Sequence, residues 1–117
     1  MKIVIIEKPW GKEELLEKNE SYMFKRLTMH KGHACSLQYH EVKTETVYLL
    51  SGRLKVYIGD KEYELDEVIM KPNDSMTLYP FKIHRMEALE DSIYLEASTP
   101  ELEDVVRLQD RYKRVTK

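Results

Sequence analysis

The sequence predicts an all-β domain of short antiparallel strands, closed as a sandwich or barrel, with one short C-terminal helix. Three observations carry this. Apolar and polar residues alternate with period two from Tyr22 to Ala97. Turn-forming residues interrupt the alternation at intervals too short for helices. Leu, Ile, Val and Phe make up about a quarter of the chain, enough for one hydrophobic core and too much for disorder.

In chain order, the longest wholly apolar run is Ile3-Val4-Ile5-Ile6, far short of a membrane span or a secretory leader. Lys12 to Lys18 holds good helix formers, but only Leu15 and Leu16 offer an anchor for so short a helix. Thr46-Val47-Tyr48-Leu49-Leu50 is almost continuously apolar, the pattern of a strand covered on both faces. In Arg53 to Ile58, Leu54, Val56 and Ile58 share one face, and Gly59-Asp60 reads as the hairpin turn back through Lys61 to Leu65. Pro72-Asn73-Asp74 marks a turn before a strand at Ser75 to Tyr79. Ser92 to Ala97 is a strand expected to turn Ile93, Leu95 and Ala97 inward. The helix is expected after Ser98-Thr99-Pro100-Glu101, which supplies a hydroxyl cap, a proline at the first helical position and an acidic first turn. Leu102, Val105, Val106 and Gln109 would line its inner side.

The 117 residues form one domain, 1–117. With 19 basic against 21 acidic residues, no strongly basic footprint points to nucleic acid. The single cysteine, Cys35, excludes an internal disulfide and a multi-thiolate zinc site. A soluble, cytoplasmic domain without a membrane or nucleic-acid partner is expected. The basic tail, residues 111–117, is expected to fray.

The stretch from Gly32 to Glu45 carries the chemistry. Gln38 and His40 are two apart on a strand and point to the same face. Glu45 follows a short turn and opens a neighbouring strand, bringing its carboxylate back beside them. A later strand delivers His84. Two imidazoles, one amide oxygen and one carboxylate suit a divalent first-row ion such as Zn, Mn, Fe, Co or Ni, with positions left for water or substrate. Cys35 has the opposite parity and reads as a packing thiol. Arg85, opposite in parity to His84, is expected to pair on the outside. His30 and His33 have no such partners, and Arg107 with Asp110 reads as an ion pair holding the tail.

The spacing Gly32, five residues, Gln38-x-His40, four residues, Glu45, six residues, Gly52 resembles the first motif of the cupin superfamily, with Gln in place of its first His. Asn73, eleven positions before His84, resembles part of the second motif, although Phe81 stands where that motif has a glycine. Pro9-Trp10-Gly11, Phe24 to Leu27, Ser36 to His40 and Asp104 to Tyr112 resemble the cupin domain of type II mannose-6-phosphate isomerases, a domain that usually ends a bifunctional isomerase and GDP-mannose pyrophosphorylase. The resemblance implies a double-stranded β-helix (jelly-roll cupin), with Gln38, His40, Glu45 and His84 as metal ligands. It also implies a homodimer and aldose–ketose isomerisation of a small-molecule sugar phosphate. Lys43 stands where the family has an arginine implicated in catalysis, and Thr46 where it has a histidine. Lys43 is therefore the candidate catalytic residue, and Lys43 and Lys82 are the candidate substrate-binding cations. No free carboxylate or imidazole is visible as a general base. A metal-bearing but non-catalytic carbohydrate-binding or regulatory cupin is the alternative, and a cupin-type oxygenase a third.

Overall fold

The alternating segments fold into eleven strands in a computed structural model that describes residues 2–114. They are β1 (Val4–Lys8), β2 (Gly11–Lys18), β3 (Met23–Met29), β4 (Leu37–Tyr39), β5 (Glu45–Ser51), β6 (Leu54–Lys61), β7 (Glu64–Met70), β8 (Ser75–Leu78), β9 (Ile83–Ala88), β10 (Ser92–Ser98) and β11 (Val106–Gln109). One sheet has the order β1-β2-β3-β10-β5-β8, the other β11-β4-β9-β6-β7, and every pairing is antiparallel. From β3 onward successive strands pass from sheet to sheet, the β6–β7 hairpin excepted, as in the expected double-stranded β-helix. The core lies between the sheets, where Leu27, Met29, Val47, Leu49, Leu54, Val56 and Leu78 are fully or nearly fully buried. Burying such side chains stabilises the fold by about 1.5–3 kcal/mol each. Among the described residues no helix is long and apolar enough to cross a membrane.

The expected C-terminal helix does not form. Val106–Gln109 pairs as β11 with β4, setting Val106 opposite Tyr39 and Arg107 opposite Gln38. The capping groups are engaged elsewhere: Thr99 Oγ1 accepts the Thr44 N–H at 3.1 Å and donates to Glu101 at 2.8 Å. A helix of two or three turns is marginal by itself, whereas β11 covers the edge of a three-residue strand. Lys12 to Lys18 likewise joins a strand, with hydrogen-bonded neighbours on both sides.

Three smaller expectations also change. The β6–β7 turn falls at Glu62-Tyr63, and Gly59-Asp60 lies inside β6 beside an irregularity in register. A side chain at Gly59 would come 2.7 Å from the Glu64 carbonyl, so that glycine serves close backbone approach. β5 is covered on one face only, with Leu50 45% exposed. In β10 the parity is inverted: Ser92, Tyr94, Glu96 and Ser98 are buried, while Ile93 and Leu95 are half-buried and Ala97 is exposed. The register of β10 against β5 shifts between Ile93 and Tyr94. Leu95 packs opposite Tyr48 on the outer face, which leaves the inner face of β10 to polar groups.

The described part of the tail is tied down rather than frayed. Arg111 donates to the Gly32 carbonyl at 2.9 Å, and Arg114 pairs with Asp110 at 2.8 Å. The last three residues of that tail lie outside the described residues.

Candidate metal centre

β4 and β9 lie side by side with Gln38 opposite His84, so both residues address the space between the sheets. His40 follows directly after β4. The loop at 41–44 then crosses to the other sheet, where Glu45 is the first residue of β5. Asp104 shapes that loop. Its carboxylate accepts the backbone N–H groups of Glu41, Val42 and Lys43 at 3.1, 2.8 and 2.8 Å. Burial alone would raise its pKa; the three N–H groups outweigh burial and hold it below the ordinary aspartate value.

The two imidazoles and the carboxylate converge. His40 Nε2 lies 3.0 Å and His84 Nε2 3.3 Å from the same oxygen, Glu45 Oε1. All three side chains are buried, and their ligand atoms fall within 4.8 Å of one another. His84 Nδ1 donates to the Lys82 carbonyl at 2.9 Å, and His40 Nδ1 donates to the Asp104 carbonyl. A carbonyl only accepts, so these partners assign the ring proton to Nδ1 and turn the Nε2 lone pairs toward the carboxylate. Glu45 Oε2 is buried and accepts no hydrogen bond. Three electron-pair donors, the two Nε2 atoms and Glu45 Oε1, facing one point repel each other unless a cation lies among them. The donor set therefore fits a divalent ion, and carbonyl-anchored imidazoles are the usual outer support of such ligands. Gln38 lines the same cavity, its amide oxygen accepting from the Ser36 hydroxyl.

Lys43 is buried beside this group, 3.7 Å from Glu45 Oε2 and 3.9 Å from Glu96 Oε2. Burial would lower its pKa, but the Glu96 and Glu45 carboxylates raise it above the ordinary lysine value and keep it charged. For Glu45, burial favours the neutral form and the charge of Lys43 favours the carboxylate. Glu96 is pushed up, by burial first and by the neighbouring Glu45 charge second.

Lys82 is elsewhere. It precedes β9 in a turn, its ammonium pairs with Asp60, and it lines no part of the cavity, so strand parity with His84 did not extend to it. Arg85 lies, like Glu87, half-buried on the face of β9 opposite His84, and donates to the carbonyls of Cys35 at 3.0 Å and Gln109 at 3.1 Å. Asp110 pairs with Arg114 rather than Arg107, and Arg107 lines the cavity. Cys35 packs against the core, and its thiol is pushed up to about 11 by burial.

The cavity between the sheets has a volume of about 480 Å³ and shares Trp10, Leu27, Met86 and Tyr94 with the core. Sequence reading missed its charged wall. Lys25 Nζ lies 3.3 Å from Glu13 and 3.9 Å from Glu96, and Lys8 lies 3.9 Å from Glu13. The parity of Lys25 with Met23, Leu27 and Met29 was a usable signal. For Glu96 the signal pointed the wrong way.

Comparison with known proteins agrees with this fold. The family described as "Mannose-6-phosphate isomerase C-terminal" matches residues 3–110. The mannose-1-phosphate guanylyltransferase ManC of Salmonella typhimurium is 30% identical over 115 residues, covering 94% of this chain and 23% of its own length. The xanthan biosynthesis protein XanB of Xanthomonas campestris is 28% identical, with 93% and 23% covered. The chain thus spans less than a quarter of these relatives. Among solved structures, KdgF from Halomonas sp. superposes with a TM-score of 0.75 at 18% identity, covering 89% of this chain and 90% of that one. An RmlC-like cupin from Shewanella frigidimarina gives 0.73 at 19% identity, with 88% of each chain covered.

Proposed function

The chain belongs to the mannose-6-phosphate isomerase C-terminal family, and from that premise we propose that it is a metal-dependent aldose–ketose isomerase acting on a sugar phosphate of the mannose 6-phosphate type. The observation that carries this reading is the convergence of His40, Glu45 and His84 on the wall of a cavity with room for a hexose.

His40, Glu45 and His84, with Gln38 beside them, would hold the ion. Its contribution when bound is to polarise the carbonyl and hydroxyl oxygens of the substrate. The remaining work falls to the chain. The ammonium of Lys43, held charged by its two carboxylates, stabilises the negative charge that develops on the substrate oxygen as the enediolate forms. Glu96 is one of three cavity carboxyls outside the ligand set, with Glu13 and Glu103, and the one that lies beside Lys43. Its carboxylate takes the proton from one carbon and returns it to the neighbouring carbon while the hydroxyl proton passes from one substrate oxygen to the other, so the carboxylate is regenerated and no proton is consumed. The apolar floor of Trp10, Leu27 and Tyr94 keeps water from that face. The reading includes a homodimer, supported by the exposed Ile3, Val4 and Ile5 at the β1 edge; light scattering at twice the 14.0 kDa chain mass tests it.

A coupled assay with mannose 6-phosphate and fructose 6-phosphate tests the reaction. Turnover that is lost on chelation, in His84→Ala and in Glu96→Gln supports it. Absence of turnover in the metal-loaded protein overturns it and favours the second reading, a non-catalytic carbohydrate-binding cupin. That reading draws on Lys43 standing where the resemblance implies a catalytic arginine.

A further inference from the structure

We propose that residues 99–105 form a strap that is seated by the metal centre and that, when seated, narrows the entry to the cavity. An ion held by His40 and Glu45 stiffens the stretch 40–44 between these ligands, and the strap rests on that stretch. This depends on the metal centre of the isomerase reading and not on its reaction.

Two crossovers join the sheets beside the site. Residues 40–44 lead from β4 to β5 and residues 99–105 from β10 to β11, each passing from one sheet to the other. The two run against each other and are laced together at both ends of the strap. At its start, the Thr99 N–H donates to the Thr44 carbonyl at 3.0 Å, and the Thr44 N–H donates to Thr99 Oγ1 at 3.1 Å. At its far end, the Asp104 carboxylate takes the N–H groups of Glu41, Val42 and Lys43, and the Asp104 carbonyl takes the Nδ1 proton of His40. Between these ends, residues 100–103 belong to no strand or helix. The strap is therefore held by the very stretch whose two ends are metal ligands.

One imidazole connects ion and strap directly. An ion on His40 Nε2 fixes the ring plane and keeps the proton on Nδ1, where the Asp104 carbonyl accepts it. The same ion on Glu45 fixes the other end of the stretch. On its inner side the strap contributes Leu102, Glu103 and Val105 to the cavity lining. Leu102 is also 38% exposed, so it stands at the rim, with solvent on one side and the cavity on the other. A seated strap holds that side chain at the entry, and a loose one releases it. The coupling is reciprocal: whatever the ion contributes to seating the strap, the seated strap returns as affinity for the ion.

Trp10 reads the entry. It is the single tryptophan, 3% exposed, and it lines the same cavity. Zinc, a redox-inert ion, is the probe. Saturating zinc is expected to lower acrylamide quenching of Trp10 fluorescence about twofold or more relative to the chelated protein. Amide exchange at Lys43, Thr44 and Thr99 is expected to slow about tenfold, with Val56 and Val68 of the β6–β7 hairpin as the unmoved reference. Pro100→Gly combined with Glu101→Gly loosens the strap and leaves every ligand in place. Its zinc affinity is expected to fall about fivefold, with the Tm of the ion-free protein unchanged. A drop in ion-free Tm with zinc affinity unchanged shows a merely structural segment and overturns the strap. Zinc bound in calorimetry, with quenching and exchange unchanged, also overturns the strap and leaves the isomerase reading standing. Reduced quenching and slowed exchange in a protein without turnover support the strap and sink that reading. A protein that binds no zinc overturns both.

Discussion

The ammonium of Lys43 stands 3.7 Å from the Glu45 carboxylate, with both side chains at most 5% exposed. It also stands 3.9 Å from Glu96, so one cation separates two buried carboxylates, one of them in the ligand cluster. Lys43→Met removes the charge and leaves the carboxylates facing each other. Breaking a buried ion pair this way costs about 3–5 kcal/mol, measurable by urea denaturation, and turnover should fall about a hundredfold or more. Adding Glu96→Gln should restore at least half of the lost stability, because the orphaned charge is then removed with its partner. A Lys43→Met protein as stable as wild type would show that the pair contributes nothing.

Removal of the ion is a second test. Because the ligand atoms of His40, Glu45 and His84 converge without bridging protons on the imidazole Nε2 atoms, the ion-free site carries a standing repulsion. Elemental analysis of untagged protein should find one divalent ion per chain, and His40→Ala or His84→Ala should abolish it. Ligand linkage at a hundred times the dissociation constant gives about 2.7 kcal/mol, so chelation should lower Tm by roughly 10 °C. An unchanged Tm after complete chelation would refute a tightly held ion.

How much of this was legible in the sequence depends on which residues carry it. Gln38, His40 and Glu45 lie within eight positions, and local parity with a short turn fixes their mutual placement. The strands were legible for the same reason: their period survives wherever one face is core, as in Leu54 and Val56. Glu96 was illegible because the inner face of β10 lines a charged cavity, and the apolar residues that normally mark the inside, Ile93 and Leu95, lie on the outer face. β11 was illegible because its strand state depends on pairing with β4, nearly seventy positions earlier in the chain. Propensity at Ser98 to Glu101 reports the local chain, not that distant partner.

Cys35 gives a prediction in pH. Its sulfur accepts the Met86 N–H at 3.3 Å and packs against the core, and burial pushes the thiol up to about 11. The neutral thiol is unreactive, so a raised pKa reduces the thiolate at pH 8 by about a hundredfold relative to an ordinary cysteine. Reaction with a disulfide reagent should be slower than with free cysteine by at least that factor, and its rate should still be rising at pH 10. A rate that levels off near pH 8.5 would mean an exposed, ordinary thiol.

Asp104 is the residue through which the loop at 41–44 and the ligand His40 are held together. Its carboxylate takes three N–H groups from Glu41, Val42 and Lys43, and its carbonyl takes the Nδ1 proton of His40. Asp104→Ala keeps the carbonyl but removes the acceptor of all three N–H groups, two of which are exposed enough for water to replace the bond. The loss of stability should be about 2 kcal/mol. The larger effect should be on the ion: with the loop free, His40 and Glu45 lose their mutual placement, and affinity should fall about 10–100-fold. Because the native carboxyl lies below its ordinary value, it stabilises the fold above pH 4 and that contribution disappears as pH falls through the acid range. Wild type should therefore lose stability on acidification more steeply than Asp104→Asn. Equal acid slopes in wild type and Asp104→Asn, with metal affinity unchanged in Asp104→Ala, would show that the loop holds its shape without this carboxylate.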